Sequence, residues 1–432
     1  MAGSYLSDRA EAESKPKSGM LMWEIIQDLW HSDTNPNGYV SLGLAENSLM
    51  HNKLVEHIHN NISLPAQALT YGDGPPAGSK RLRNAMAKFL TRHLKPVTPI
   101  ESDHIFVTNG CSSSVEHLSW ALANPGDGFL LGQPYYGTFI PDISLRPGVK
   151  VVPVPFDEVD PVSEAAVSKY EFALKKSRSK GVSIKGLLLC HPHNPLGRCY
   201  PREALTGLMR LCQQYEIHLI SDEIYALSVW ENNIDPEPAS VPFRSCASID
   251  PTGLIDPARL HLIWGLSKDF GANGLRLGAI ISQHNASLHA ALIPASIYSS
   301  TSSLSDHVAA NILEDDTWVE QYIAENWRLL AKHYELVVTW AKTHAIPYMP
   351  GVNAAFFLWV DLGQAYRSRH PAAHATAELD ERIMQSLLGR RVFLASGKVF
   401  GSEKPGWFRI VFSQPESSLQ EGLQRIILAL DE

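Results

Sequence analysis

Between residues 104 and 282, short apolar runs alternate with segments whose apolar positions recur every three or four residues. The run HIFVTNG (104–110) leads into a stretch from Ser112 to Ala123 in which Val115, Leu118 and Leu122 share one helical face. GFLLGQP and VKVVPVPF follow as two more strands, and EAAVSKYEFALKKSRSK as a helix. GLLLC (186–190) is apolar without alternation, the pattern of a strand covered on both faces. The helix PREALTGLMRLCQQYE opens on Pro201, which suits a first turn because its missing N–H would have no partner there. IHLIS (217–221), LHLIW (260–264) and RLGAIIS (276–282) complete the set. This alternation predicts an α/β domain with a mainly parallel sheet and helices on both faces.

After residue 304 the pattern changes. Leu304 to Ala345 reads as helical, with Trp327, Leu330, Tyr334, Val337 and Val338 at helical spacing. Then come strand-like AAFFLWVDL, helical AELDERIMQSLLGR and strand-like WFRIVFS. A closing helix carries Leu419, Leu423, Ile426, Ile427 and Leu430 on one stripe. The expected organisation is an N-terminal arm with part of a small domain (1–75), a large domain (76–310) and a C-terminal α+β small domain (311–432).

Composition narrows the function without naming it. The 432 residues, 44% hydrophobic and 19% charged, suffice for two or three domains. A formal net charge of −8, with no run of Lys or Arg, argues against nucleic acid as a partner. No apolar stretch reaches the roughly 18 residues of a membrane-spanning helix. The opening MAGSYLSDRAEAESKPKSG lacks the apolar core of a secretory signal and reads as an arm. Five scattered cysteines make no disulfide framework, so a cytoplasmic location is expected. Cys190, His191, His193 and Cys199 fit no closed zinc spacing, and no metal is expected.

An open α/β sheet places its ligand at the carboxyl ends of its strands. The first strand ends in TNGCSSS, where the N–H groups of Gly110, Cys111 and Ser112 can hold a phosphate, although a plain serine cap explains the same letters. GQPYYGTF offers Tyr135 and Tyr136 as aromatic faces for a planar ring. Asn194, in HNPLGR, can donate to a ring oxygen or simply start a turn with Pro195. Asp222 follows a buried strand, and a buried carboxylate needs a cationic or hydrogen-bonding partner. A protonated pyridine nitrogen would supply one, with Tyr225 then reaching the 3-oxygen of the ring. Lys268, between an apolar run and the turn FGANGLRLG, is suited to a Schiff base with an aldehyde cofactor. Arg276 adds a second phosphate clamp, and Arg409, inside apolar GWFRIVF, calls for an anion such as a substrate carboxylate.

Together these residues resemble the fold-type I pyridoxal 5'-phosphate (PLP) enzymes, aminotransferase class I/II, and within them the 1-aminocyclopropane-1-carboxylate (ACC) synthase branch. GLAEN, PYYGTF, NPLGR, SDEIYA, SKDFGANGLRLG and PGWFRI carry the resemblance, from residue 41 to 413. It implies that Lys268 bears the cofactor and later shuttles a proton, and that Asp222 partners the ring nitrogen. Tyr225 and Asn194 would bind the 3-oxygen and Tyr136 would stack on the ring. Cys111, Ser112, Ser267 and Arg276 would hold the phosphate. Arg409 would clamp the substrate α-carboxylate, and Glu46 matches an acidic residue particular to the ACC synthase branch. It further implies a homodimer with shared active sites acting on a small-molecule amino-acid substrate.

Three departures bear on the substrate. Plant-type relatives carry a tyrosine, used by the partner subunit, where this chain has Pro76; Tyr71 is the candidate to replace it. Gly265 stands where many relatives have a phosphate-binding serine, and ASGKVFGSEKPGWF replaces a serine-rich segment. The expected chemistry is carbon–sulfur cleavage. It would be γ-displacement on S-adenosylmethionine, as in ACC synthase, or β-elimination from a cysteine conjugate, as in the related fungal carbon–sulfur lyases of epidithiodiketopiperazine pathways. Transamination is the alternative. A binder without catalysis is disfavoured because Lys268 and Asp222 are both present.

Overall fold

The main sheet, among the described residues, has seven strands: β1 (Ile105–Thr108), β2 (Gly128–Gly132), β3 (Lys150–Val154), β4 (Ile184–Cys190), β5 (His218–Asp222), β6 (Leu260–Gly265) and β7 (Gly278–Ile281). This computed structural model describes residues 5–14, 19–71, 76–235, 239–371, 376 and 378–432. The strand order is β1-β7-β6-β5-β4-β2-β3. Six strands point the same way, and β7 alone runs against them, antiparallel to both β6 and β1. The link from β6 to β7 holds only two short turns, Leu266–Asp269 and Asn273–Leu275, and no helix that packs across the sheet, and the chain turns back along its own neighbour.

Side chains alternate across this sheet. Phe106, Leu131, Leu188, Ile220, Ile263 and Ile280 enter one apolar core. Val107, Leu130, Leu187, Leu219, Leu262 and Ile281 enter the other. Both faces are covered, which is why the strands read as unbroken apolar runs.

A second sheet of β8 (Phe357–Asp361), β9 (Ala395–Ser396) and β10 (Trp407–Val411) is antiparallel, in the order β9-β10-β8. Leu358, Val360, Phe408 and Ile410 join the same core as Ile220 and Ile263, so one apolar mass spans both sheets. The amino-terminal segment threads into this part: Val40–Ser41 pairs in parallel with Val392–Phe393, and Val411 N–H donates to the Leu42 carbonyl at 2.8 Å. That threading delivers residues 43–47 to the carboxyl edge of the main sheet. The long helical stretch is two helices, Ser303–Glu314 and Asp316–Thr343, broken at Asp315, whose carboxylate caps the second by accepting from Trp318 N–H at 3.0 Å. No helix among the described residues is long and apolar enough to cross a membrane. Of the altered GDGPPAG stretch, Gly72 to Pro75 lie outside the described residues.

Candidate active site

β6 ends at Gly265 and runs into one helical turn, Leu266–Asp269, which carries Lys268. Asp269 fixes that turn. Its carboxylate accepts from Trp264 Nε1 at 3.1 Å, Leu227 N–H at 3.2 Å and Ser228 Oγ at 2.8 Å, which ties the turn to the loop after β5. Lys268 Nζ donates to the Ala45 carbonyl at 2.5 Å. Burial, reinforced by the Arg409 charge, lowers the amine to about 8, so a sizeable fraction is neutral near physiological pH.

Asp222 is the last residue of β5 rather than the first after it, because the ladder with Ile263 continues through it. On its other side it pairs in register with Cys190. Its carboxylate accepts from Ile224 N–H at 3.3 Å, and burial raises it to about 7 against the pull of Lys268. No ion pair relieves it among the described residues. Tyr225 is buried edge-on against Phe356 and Phe357.

Arg409 enters from β10 and lies between the rings of Phe357 and Phe400, 4.4 and 4.8 Å from their centres. Nη1 donates to Asn194 Oδ1 at 2.8 Å, and Nη2 to the Gly43 carbonyl at 2.7 Å. Nε is buried and has no partner among the described residues. With its oxygen engaged, Asn194 has its amide N–H groups left to offer a ligand. The half-buried Tyr136 packs edge-on against Phe139 and lines one small cavity with Asn194 and Cys190.

The helix Cys111–Leu122 starts after Gly110, whose φ of 84° and missing Cβ let the Arg276 guanidinium lie against it. Ser112 is exposed in the first turn and faces Asp142, whose carboxyl burial raises to about 7. Cys111 and Ser267 are buried beside it. Glu46 is half-buried, and its Oε1 accepts from Asn273 Nδ2 at 2.8 Å. Tyr71 is fully exposed and stands apart from this cluster in its own chain.

The sequence reading passed over several participants. Cys190, which the spacing argument takes up only as a metal candidate, adjoins Asp222, and its place as the last letter of an apolar run is its signal in the sequence. The Ala45 and Gly43 carbonyls, and Asn273, have no signal of their own in the letters.

The chain matches the profile of aminotransferase class I and II over residues 39–426. It belongs to that family. Among curated relatives it is 34% identical over 414 residues to the mouse 1-aminocyclopropane-1-carboxylate synthase-like protein 1, covering 94% of this chain and 78% of the relative. It is 30% identical to the soybean (Glycine max) 1-aminocyclopropane-1-carboxylate synthase, over 92% and 81%. It is 32% identical to the probable aminotransferase gliI of Aspergillus fumigatus, over 90% and 88%. A single-mutant aspartate aminotransferase of Thermus thermophilus shares the fold, with a TM-score of 0.76 at 22% identity, over 99% of this chain and all of that one.

This member of the family is a fold-type I, PLP-dependent enzyme of the ACC synthase-like branch. The residues present fit that cofactor. A buried carboxylate without a cation, a low-pKa lysine, an asparagine amide free to donate and an arginine across a helix N-terminus are the donor and acceptor set that PLP requires.

Proposed function

We propose that the chain cleaves a carbon–sulfur bond in an amino acid, by β-elimination from an S-conjugated cysteine or by γ-displacement on S-adenosylmethionine. Bound PLP supplies an electron sink for the charge that develops at the substrate α-carbon. Lys268 holds the cofactor and carries the α-proton, helped by an amine already lowered to about 8. Asp222 holds the positive ring nitrogen, while Asn194 and Tyr225 donate to the ring oxygen and Tyr136 stacks on the ring face. The Gly110–Ser112 turn with Cys111, together with Ser267 and Arg276, receives the phosphate. Arg409 receives the substrate carboxylate, for which its unpartnered Nε is free. On this reading residues 76–310 carry the cofactor, with 1–75 and 311–432 closing the substrate side. Two copies share their sites in a cytoplasmic homodimer, each lending Tyr71 to the other.

The observation that carries carbon–sulfur chemistry is Glu46, held close to Lys268 by Asn273. The 34% identity to an ACC synthase-like protein supports it. The second reading, transamination, is favoured by the relative named as a probable aminotransferase. The deciding experiment mixes cofactor-loaded protein separately with an S-conjugated cysteine, S-adenosylmethionine and a simple amino acid, following absorbance and free thiol. Release of thiol or thioether with recovery of the cofactor band establishes carbon–sulfur cleavage, and the active substrate names its type. Lasting bleaching without sulfur release, reversed by a 2-oxo acid, establishes transamination instead.

A further inference from the structure

Asn273 occupies the turn Asn273–Leu275, between Lys268 and Arg276. Its side-chain amide donates to Glu46 Oε1 at 2.8 Å, and its carbonyl accepts from Arg276 Nη1 at 2.9 Å. The main chain at Glu46 is pinned separately, its carbonyl accepting from Ser413 Oγ at 2.6 Å and Gln414 Nε2 at 3.3 Å. One residue earlier, the Ala45 carbonyl receives Lys268 Nζ. The backbone of this segment is therefore fixed without Asn273, and what Asn273 fixes is the Glu46 carboxylate.

We propose that Asn273 is a positioning residue that holds the Glu46 carboxylate beside Lys268 and so sets the basicity of the amine. The proposal rests on the reading of Lys268 as the cofactor-bearing lysine. A neutral amide suits the task because it orients a carboxylate without cancelling its charge, whereas a cation at the same place would neutralise it. The groups that face Lys268 are Arg409 from β10, Arg276 and Cys111 from the phosphate end, Asp222 from β5, Cys190 from β4, and Glu46. Arg409 and Arg276 lower the amine, while Glu46 opposes them. Glu46 is half-buried, so a carboxylate released from Asn273 has solvent to turn toward.

The test follows the rate at which the full chain captures PLP across pH, which requires the neutral amine, with borohydride fixation and peptide mapping to locate the attachment. Glu46→Gln is expected to move the midpoint of the capture profile down by roughly 1 unit, the low end of what a nearby opposite charge supplies. Asn273→Ala moves it down by less and adds nothing in the Glu46→Gln background. An unchanged midpoint in Asn273→Ala, or a shift that persists in Glu46→Gln, overturns the proposal while leaving the cofactor site intact. Wild-type attachment anywhere but Lys268 overturns the site reading and the proposal with it.

Discussion

Arg409 and Asn194, 215 positions apart in the chain, share a hydrogen bond of 2.8 Å in which the guanidinium donates to the amide oxygen. In the proposed reading one of these side chains meets the substrate carboxylate and the other meets the cofactor ring oxygen. The bond therefore ties the substrate half of the site to the cofactor half, and it fixes which way round the amide lies.

Truncating the arginine separates the two halves. Arg409→Ala is expected to leave the cofactor absorbance in place and to lower kcat/KM by roughly 30-fold or more, since loss of a buried charged hydrogen-bonding group costs at least about 2 kcal/mol. Arg409→Lys keeps the charge but not the fork, and falls between the two. Steady-state kinetics beside a substrate titration of the cofactor spectrum would show it. Equal loss of cofactor and activity would contradict the assignment.

Asp222 sets function against stability. Its folded carboxyl is raised, so the folded state binds more protons than the unfolded one between about 4 and about 7, and stability falls as pH rises through that window. Asp222→Asn should stabilise the cofactor-free chain at pH 8 by on the order of 2 kcal/mol, less than the full rise from 3.8 to about 7 implies, while abolishing turnover. Thermal melting of the cofactor-free variant, with an assay of the loaded one, checks both halves.

At the opposite end of the sheet, His218 Nδ1 and His261 Nε2 are 3.0 Å apart, and His261 Nδ1 lies 3.0 Å from Ser282 Oγ. Burial lowers the pair to about 4 and about 3. These rings stay neutral while unfolded histidines take up protons, so stability is lost as pH falls from about 6.5 toward 4. Urea midpoints measured from pH 7 to 4.5 should drop less steeply in His261→Gln. Parallel profiles would remove the pair from this role.

Tyr71 gives a test of shared sites. Mixing an inactive Tyr71→Ala chain with an inactive Lys268→Ala chain, after partial unfolding and refolding together, is expected to restore activity. Each hybrid then holds one site with both residues native. No recovery in a mixture shown to exchange subunits would place Tyr71 outside the chemistry.

Much of this arrangement was legible in the letters, for a physical reason. Strands covered on both faces write themselves as continuous apolar runs, so GLLLC and LHLIW announced β4 and β6. Charges out of water are costly, so the buried Asp222 and Arg409 and the half-buried Lys268 stood out against their apolar neighbours. Strand direction has no such signature, and the antiparallel course of β7 emerged only from the short link before it. Pairings across long separations, such as Arg409 with Asn194 or Asn273 with Glu46, depend on where the fold brings the chain back. The break at Asp315 was also hidden, because apolar spacing continues across it and only the cap marks the new start.

Gly265 sits where the fold leaves no room for a side chain. A Cβ added there would lie 2.7 Å from the Leu277 carbonyl oxygen and 3.0 Å from Cys111 Sγ, with backbone on one side and a buried thiol on the other. Any side chain at this position would therefore have to push aside the main chain at Leu277 or the Cys111 thiol. The wall between the end of β6 and the start of the Cys111–Leu122 helix is therefore drawn by main chain alone, and any hydroxyl offered to a ligand at that end has to come from elsewhere, as from Ser112 or Ser267.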